Sequence, residues 1–238
     1  MSKVAEFYDD FTEYQLSHGI NPRHRSIQDW LVKAGLLESH KVLEIGCGIG
    51  TQTELLLNYL SNEASVLAVD ISPKSIEIAK KRLGKFNNVE LIAADIVQLP
   101  LKDKFDVVLL PDVLEHIPKE QHLKLFEKIA QVLKMDGFVL IHIPEPHYLE
   151  WCTIHHKDEL QIIDQPIFID EFVGSINPNN LYIDFLQNYS IWIDNKDYRV
   201  IKLKKRVELD KRKYNIIENH PSLLTRLVAK IKRNISKG

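Results

Sequence analysis

Cysteine is nearly absent from this 238-residue chain. Cys47 and Cys152 are its only two, and they lie too far apart for a disulfide framework or a cysteine metal cluster. No apolar run approaches the ~18 residues that a membrane-spanning helix needs. The opening residues, MSKVAEFYDDFTEY, contain no apolar stretch of the kind a secretory leader carries. Charge of one sign is not in excess either, with 31 Lys and Arg against 33 Asp and Glu. With 45% hydrophobic residues, disorder is excluded. These absences point to a soluble, cytoplasmic protein of one domain, with no part that spans a membrane.

The balanced total hides an asymmetry. Residues 200–238 hold 12 Lys and Arg against three acids, whereas the other 199 residues hold 19 against 30. Leu224, Leu227, Val228, Ile231 and Ile235 fall on one helical stripe of this basic tail. The stripe suits peripheral contact with anionic lipid, or docking on an acidic protein surface. Nucleic acid is not favoured as a partner, because the body is acidic and no basic patch is interleaved with aromatics.

Hydrophobic periodicity organises the rest. Residues Phe7 to Leu37 read as helices, with Ile27, Trp30, Leu31 and Ala34 at helical spacing and Gly35 as a stop. Strand and helix then alternate. Strands are expected at 41–45, 65–69, 89–93, 105–110 and 138–143, and helices at 51–60, 72–83 and 119–133, with a turn at Lys134 to Gly137. Such alternation predicts parallel βαβ units in a doubly wound sheet. Beyond Pro144 the rhythm changes to a proline-broken stretch, expected to be loop with short helical pieces as far as Ile169. Two long strands follow, Tyr182 to Ile193 and Asp197 to Lys204, joined as a hairpin through Asp194, Asn195 and Lys196. One antiparallel pair closing a parallel sheet makes the fold a mixed α/β class.

Ligands of such sheets bind at the carboxyl ends of the strands. The first strand ends in Glu44-Ile-Gly-Cys-Gly-Ile-Gly50, where Gly46, Gly48 and Gly50 permit positive φ and a close approach to bare backbone. Asp70 ends the second strand, placed to grip vicinal ribose hydroxyls. Asp95 and Ile96 end the third, where a carboxylate and an apolar side chain suit an adenine edge and face. A dinucleotide fingerprint would need glycine at position 51, which is threonine.

This set, with FDVVLLPDVLEHIP and LKMDGFVLIHIP further on, resembles the class I S-adenosylmethionine-dependent methyltransferases over about residues 41–143. The resemblance implies a three-layer α/β fold of seven strands in the order 3-2-1-4-5-7-6, with strand 7 antiparallel. It also implies one domain, made of a helical lid at 1–40, a core at 41–206 with an acceptor-side insertion at 144–180, and the basic tail at 207–238. Carried over by position, Glu44, Gly46, Cys47, Gly48 and Gly50 would flank the methionine part of S-adenosylmethionine. Asp70 would take the ribose, Ile71 the adenine face, Asp95 and Ile96 the adenine edge, and Pro111 with Asp112 would lie beside the methyl group.

Methyl transfer from a sulfonium needs alignment and a dry site, and an alcohol acceptor also needs a base or a metal. Glu115, His116 and His142, after strands four and five, are the catalytic candidates. Asp112, Glu115 and His116 are also the only metal candidates, and a divalent metal is not favoured because aspartate stands where metal-binding relatives carry the longer glutamate. Glu145, His147 and Tyr148 are candidate acceptor contacts. Tyr8, Tyr14, His18 and His24 belong to the lid. The expected reaction is O-methylation of a small or medium-sized molecule, with a sugar or nucleotide-linked sugar hydroxyl as the leading acceptor. An amine acceptor, another small molecule methylated with metal assistance, and a non-catalytic scaffold are the alternatives.

Overall fold

The computed structural model describes residues 19–157 and 160–208 together with Leu16 and Lys211. Tyr8, Tyr14, His18 and nearly all of the basic tail therefore lie outside the described residues. Residues 1–206 form one compact unit and residues 207–238 a second.

The first described helix, α1 (Pro22–Ala34), shows how local sequence places functional groups. Asn21 caps it, its Oδ1 accepting from the backbone N–H groups of Arg23 (3.0 Å) and His24 (3.3 Å), and Pro22 supplies a preset φ at the first position. Gly35 ends it in the left-handed conformation at φ 105°. Ile27, Leu31 and Ala34 are buried, and Arg23 and His24 stand one turn before Ile27 on that same face.

There follow β1 (Lys41–Ile45), α2 (Thr51–Tyr59), β2 (Ser65–Asp70), α3 (Pro73–Leu83), β3 (Val89–Ala93), β4 (Phe105–Pro111), α4 (Lys119–Val132) and β5 (Leu133–Pro144). Then come α5 (Pro146–His155), α6 (Ile169–Ile176), β6 (Leu181–Tyr189) and β7 (Tyr198–Lys205). The seven strands are ordered β3-β2-β1-β4-β5-β7-β6, parallel except for β7, which runs antiparallel to both neighbours. The central strands are apolar on both faces. Val42, Val107, Leu109 and Leu140 pack under α1, while Leu43, Val108, Leu110 and Ile141 pack against Phe126, Ile129 and Phe172 from α4 and α6. Burial on both faces is why these strands read as continuous apolar runs.

Two expectations need correction. The stretch Lys134 to Gly137 is already part of β5, entered through a register shift opposite Phe105 and Val107. Gly137 is required there, since a Cβ would lie 2.6 Å from the Asp106 carbonyl oxygen. Next, β6 stops at Tyr189 rather than Ile193. The buried Asp197 carboxylate accepts from Ile191 N–H (2.8 Å) and Trp192 N–H (2.9 Å), folding residues 190–197 back on themselves. The stretch expected to be loop with short helical pieces holds one ten-residue helix, at 146–155. Pro146 takes its first turn and the Glu145 carboxylate caps it, accepting from His147 N–H (2.9 Å) and Tyr148 N–H (3.1 Å).

Glu145 is itself held by Arg199 of β7, whose Nη2 lies 3.2 Å from Oε1, and both side chains are buried. Arg199→Met leaves that carboxylate buried without its cation. The expected loss is about 3–5 kcal/mol in urea unfolding; a change under about 1 kcal/mol would show that the pair does not hold α5.

Candidate active site

One large cavity, about 1190 Å³, opens at the carboxyl edge of the sheet. It sits where strand order reverses, between β1 and β4. Its floor on one side is the glycine turn. Gly46, Gly48 and Gly50 all have positive φ, at 78°, 52° and 79°. The turn is tied to β2 through Gly46 N–H and Cys47 N–H, which both donate to the Val69 carbonyl oxygen. A Cβ on Gly46 would lie 2.5 Å from Val113 Cγ2, so only glycine lets β1 and the segment after β4 come together.

Asp70 is set by the same turn. Its Oδ2 accepts from Gly48 N–H at 2.7 Å and its Oδ1 from Ser72 N–H at 2.9 Å, which fixes the carboxylate plane before any ligand arrives. Asp95 is exposed at the end of β3, with Oδ1 accepting from Val97 N–H at 2.9 Å, and Ile96 beside it is buried. Glu44, Gly46, Cys47 and Gly48 line the cavity, as do Asp70, Ile71, Asp95 and Ile96. Pro111 and Asp112 line it from the other side. Gly50 stands outside the lining and serves as the N-cap of α2. Glu44 is fully buried, and neither carboxylate oxygen has a close hydrogen-bond partner. Burial pushes its pKa up to about 7, an effect the Thr53 hydroxyl offsets only in part.

Across the cavity lies a polar wall. Asp112 follows β4 in the left-handed region at φ 52°, a conformation aspartate tolerates better than most residues. This turns Oδ2 to Arg23 Nη1 (3.1 Å) and Oδ1 to His142 Nδ1 (2.5 Å). Burial works against its charge, but His142 and Arg23 outweigh that and hold the carboxyl below its usual range. Glu115 and His116 lie in a 3₁₀ turn, Leu114–His116. His116 Nδ1 is 2.6 Å from the Ile163 carbonyl oxygen and 3.2 Å from Asp164 Oδ1. Burial opposes its proton, yet Glu115 and Asp164 raise its pKa. Glu115 is 1% exposed, and burial raises its carboxyl well above the usual value. Its Oε2 has no partner. His24, in the first turn of α1, is pushed down to about 4 by burial and by Arg23.

Of the expected catalytic residues, Glu115 and His116 line the cavity and His142 does not. His142 is fully buried behind Asp112, with its second nitrogen 2.5 Å from the Tyr189 hydroxyl. Asp112, Glu115 and His116 do not converge on one point, since the Asp112 oxygens turn to Arg23 and His142. Among the described residues no group of three or more His, Cys, Asp or Glu suits a metal ion. Of the candidate acceptor contacts, Tyr148 lines the cavity; Glu145 is the cap of α5, and the His147 side chain is 76% exposed. Sequence reasoning missed Arg23, Asp164, Trp192 and Tyr198, all in the lining. Only the Asn21-Pro22 cap signal could have pointed to Arg23.

Comparison with known proteins agrees with this geometry. Residues 42–137 match a family described as a methyltransferase domain. The chain is 24% identical over 212 residues to malonyl-[acyl-carrier protein] O-methyltransferase of Marinomonas sp. (strain MWYL1), covering 85% of this chain and 73% of that one. It is 27% identical over 220 residues to ubiquinone biosynthesis O-methyltransferase of Pelagibacter ubique (strain HTCC1062), covering 84% and 89%. Two solved structures share its fold. Magnesium protoporphyrin IX methyltransferase from Synechocystis PCC 6803, with bound S-adenosylhomocysteine, superposes with a TM-score of 0.60 at 22% identity over 77% of this chain and 81% of that one. An S-adenosylmethionine-dependent methyltransferase from Clostridium acetobutylicum gives 0.63 at 14% identity over 84% and 98%. None of the described helices is long and apolar enough to cross a membrane.

The state of Glu44 has a consequence for stability. Its folded value of about 7 exceeds the ordinary 4.5, so the folded protein holds this proton more tightly than the unfolded chain does. That contribution is complete below about pH 4.5 and is lost as pH rises to 7. Glu44→Gln is expected to flatten the decline in unfolding free energy between those values, measured by urea titration without ligand. An unchanged slope would mean Glu44 is ionised in the folded protein.

Proposed function

We propose that the chain is a class I S-adenosylmethionine-dependent methyltransferase and that it methylates a hydroxyl oxygen of a small or medium-sized polar acceptor, foremost a sugar or nucleotide-linked sugar. The observation that carries this reading is Glu115, a buried carboxyl in the cavity lining with one oxygen free of any partner. An attacking hydroxyl must lose a proton, and Glu115 Oε2 is a carboxylate oxygen on that wall without a hydrogen-bond partner. Its raised pKa makes it a better proton acceptor than an ordinary carboxylate. The hydroxyl-rich acceptor is supported by the donors and acceptors around it, including Arg23, Gln121, Gln161 and Asp164.

S-adenosylmethionine supplies an already activated methyl group when bound. The chain's own residues then have three tasks. Asp70 holds the ribose hydroxyls, Asp95 and Ile96 the adenine, and Glu44 with the glycine turn the methionine end. Arg23 and Asp112 orient the acceptor. Glu115 takes its proton, while His116, charged and bonded to Ile163 and Asp164, fixes Glu115 in place rather than acting as the base.

A second reading concerns the rest of the acceptor. Helix α5 faces the cavity with Tyr148, Leu149 and Cys152, and on its exposed side carries Trp151 and Ile154, which is 71% exposed. Trp192, also in the lining, is 53% exposed. These apolar side chains favour a hydroxyl on the polar head of a molecule with an apolar body.

The test is transfer of labelled methyl from S-adenosylmethionine to a panel of nucleotide sugars, glycolipid heads and amines. Glu115→Gln is expected to slow transfer by about 10²–10⁴-fold and leave S-adenosylhomocysteine affinity unchanged. The acidic limb of the wild-type rate profile is expected above pH 4.5 and to vanish in the variant. Methylation of amines alone, or full activity in Glu115→Gln, would overturn the proposal.

A further inference from the structure

Three segments of the chain bring apolar side chains to the open edge of the cavity. On α5, Tyr148 lines the cavity and its ring stacks on Trp151, with centroids 6.1 Å apart and planes inclined by 19°. Ile154 stands three residues on, on the same helix face as Trp151. In the segment after α5, Leu160, Gln161 and Ile163 line the cavity, while Ile162 between them is exposed. The third segment is the loop after β6, pinned by the buried Asp197 carboxylate, which sets Trp192 in the lining. Trp151, Ile154, Ile162 and Trp192 are each between 46% and 71% exposed.

Apolar residues scattered singly over a surface mean little, but these gather at one opening. Helix α5 sharpens the point. It carries Leu149 and Cys152 buried on one side and Trp151 and Ile154 exposed on the other, and Glu150 is its only residue of fixed charge. A helix apolar on both sides is one that buries both, and here the described residues cover only one.

We propose that this rim is a docking surface for an anionic lipid bilayer, and that the acceptor is a lipid-borne molecule whose polar head enters the cavity from the membrane. The inference deepens the reading above, that a hydroxyl of the acceptor meets Glu115, and rests on it. Three considerations favour a bilayer over a protein partner. Two of the four rim residues are tryptophans, whose indoles join a large apolar face to one N–H and prefer the boundary between hydrocarbon and water. A protein seated on the rim would stop the opening, whereas a bilayer supplies a ligand through it. The chain also holds the electrostatic half of such a contact. Residues 221–238 contain five Lys and Arg and no acid, interleaved with the apolar stripe from Leu224 to Ile235. Basic residues close to an anionic leaflet add to the attraction of an apolar stripe.

The experiment is fluorescence titration of the full chain with vesicles of equal parts phosphatidylcholine and phosphatidylglycerol, brominated on the acyl chains. The chain has three tryptophans. Trp151 and Trp192 are expected to be quenched by the bromines, whereas Trp30, packed against Phe185 and Tyr189, keeps its emission. The double variant Trp151→Phe, Trp192→Phe should therefore bind the vesicles without being quenched. Ile154→Glu, at an exposed position, should weaken vesicle affinity by about tenfold with the circular dichroism unchanged. Vesicle binding that leaves Trp151 and Trp192 unquenched would mean that the basic tail docks alone, and would overturn the inference. Equal affinity for phosphatidylcholine vesicles, or no binding to either kind, would do the same. So would lipid-free dimers that Ile154→Glu dissociates, since a second copy would then cover the rim. Docking is read without methyl transfer, so a failed acceptor panel counts against the proposed reaction and a failed titration against this surface alone.

Discussion

The site depends on one constraint of connectivity. β1 is flanked by β2 on one side and β4 on the other, and the chain crosses over in opposite directions from this point. Because such crossovers are right-handed, the loops after β1 and β4 part company and open a crevice at their carboxyl ends. The glycine turn after β1 and the Pro111-Asp112 turn after β4 are the two lips of that crevice. Their spacing is set by Val113 lying against the bare Cα of Gly46. No side chain at position 46 is compatible with that contact, so the cavity's width is written into a single hydrogen atom.

The two sides of the crevice are built differently. The side toward β2 and β3 is made from strand ends close in sequence, with Asp70 locked by Gly48 and Ser72. The opposite wall is assembled from distant pieces, with Arg23 from α1, Asp112 from the end of β4, Tyr148 from α5 and Tyr198 from β7. Its charges are matched in pairs, Arg23 with Asp112 and His116 with Asp164. One carboxyl, Glu115, keeps an oxygen in reserve.

This division explains what could be read from the sequence. The alternation of apolar runs and glycine turns gave the parallel sheet, since strands buried on both faces leave a local signature. The resemblance carried by VLEIGCGIG and its companions supplied the strand order. Asp70 and Asp95 stand at strand ends, so their places in the lining follow from the same periodicity. Arg23 was legible only as a first-turn residue after the Asn21-Pro22 cap, because nothing there announces that a carboxylate 89 residues later will face it. His142 looked like a catalytic histidine because its strand ends at the right edge, but period-two alternation cannot say which side chain is covered by a later strand, here β7. The length of α5 was obscured by Pro144 and Pro146, although Pro146 with a preceding glutamate is itself a start signal.

The most direct test of the account is calorimetric titration of the full chain with S-adenosylhomocysteine and, separately, with NAD. Binding of the first with one-to-one stoichiometry, lost in Asp70→Ala and absent with NAD, is what a crevice shaped by the glycine turn and Asp70 requires. Binding of NAD instead, or of neither nucleotide, would contradict it.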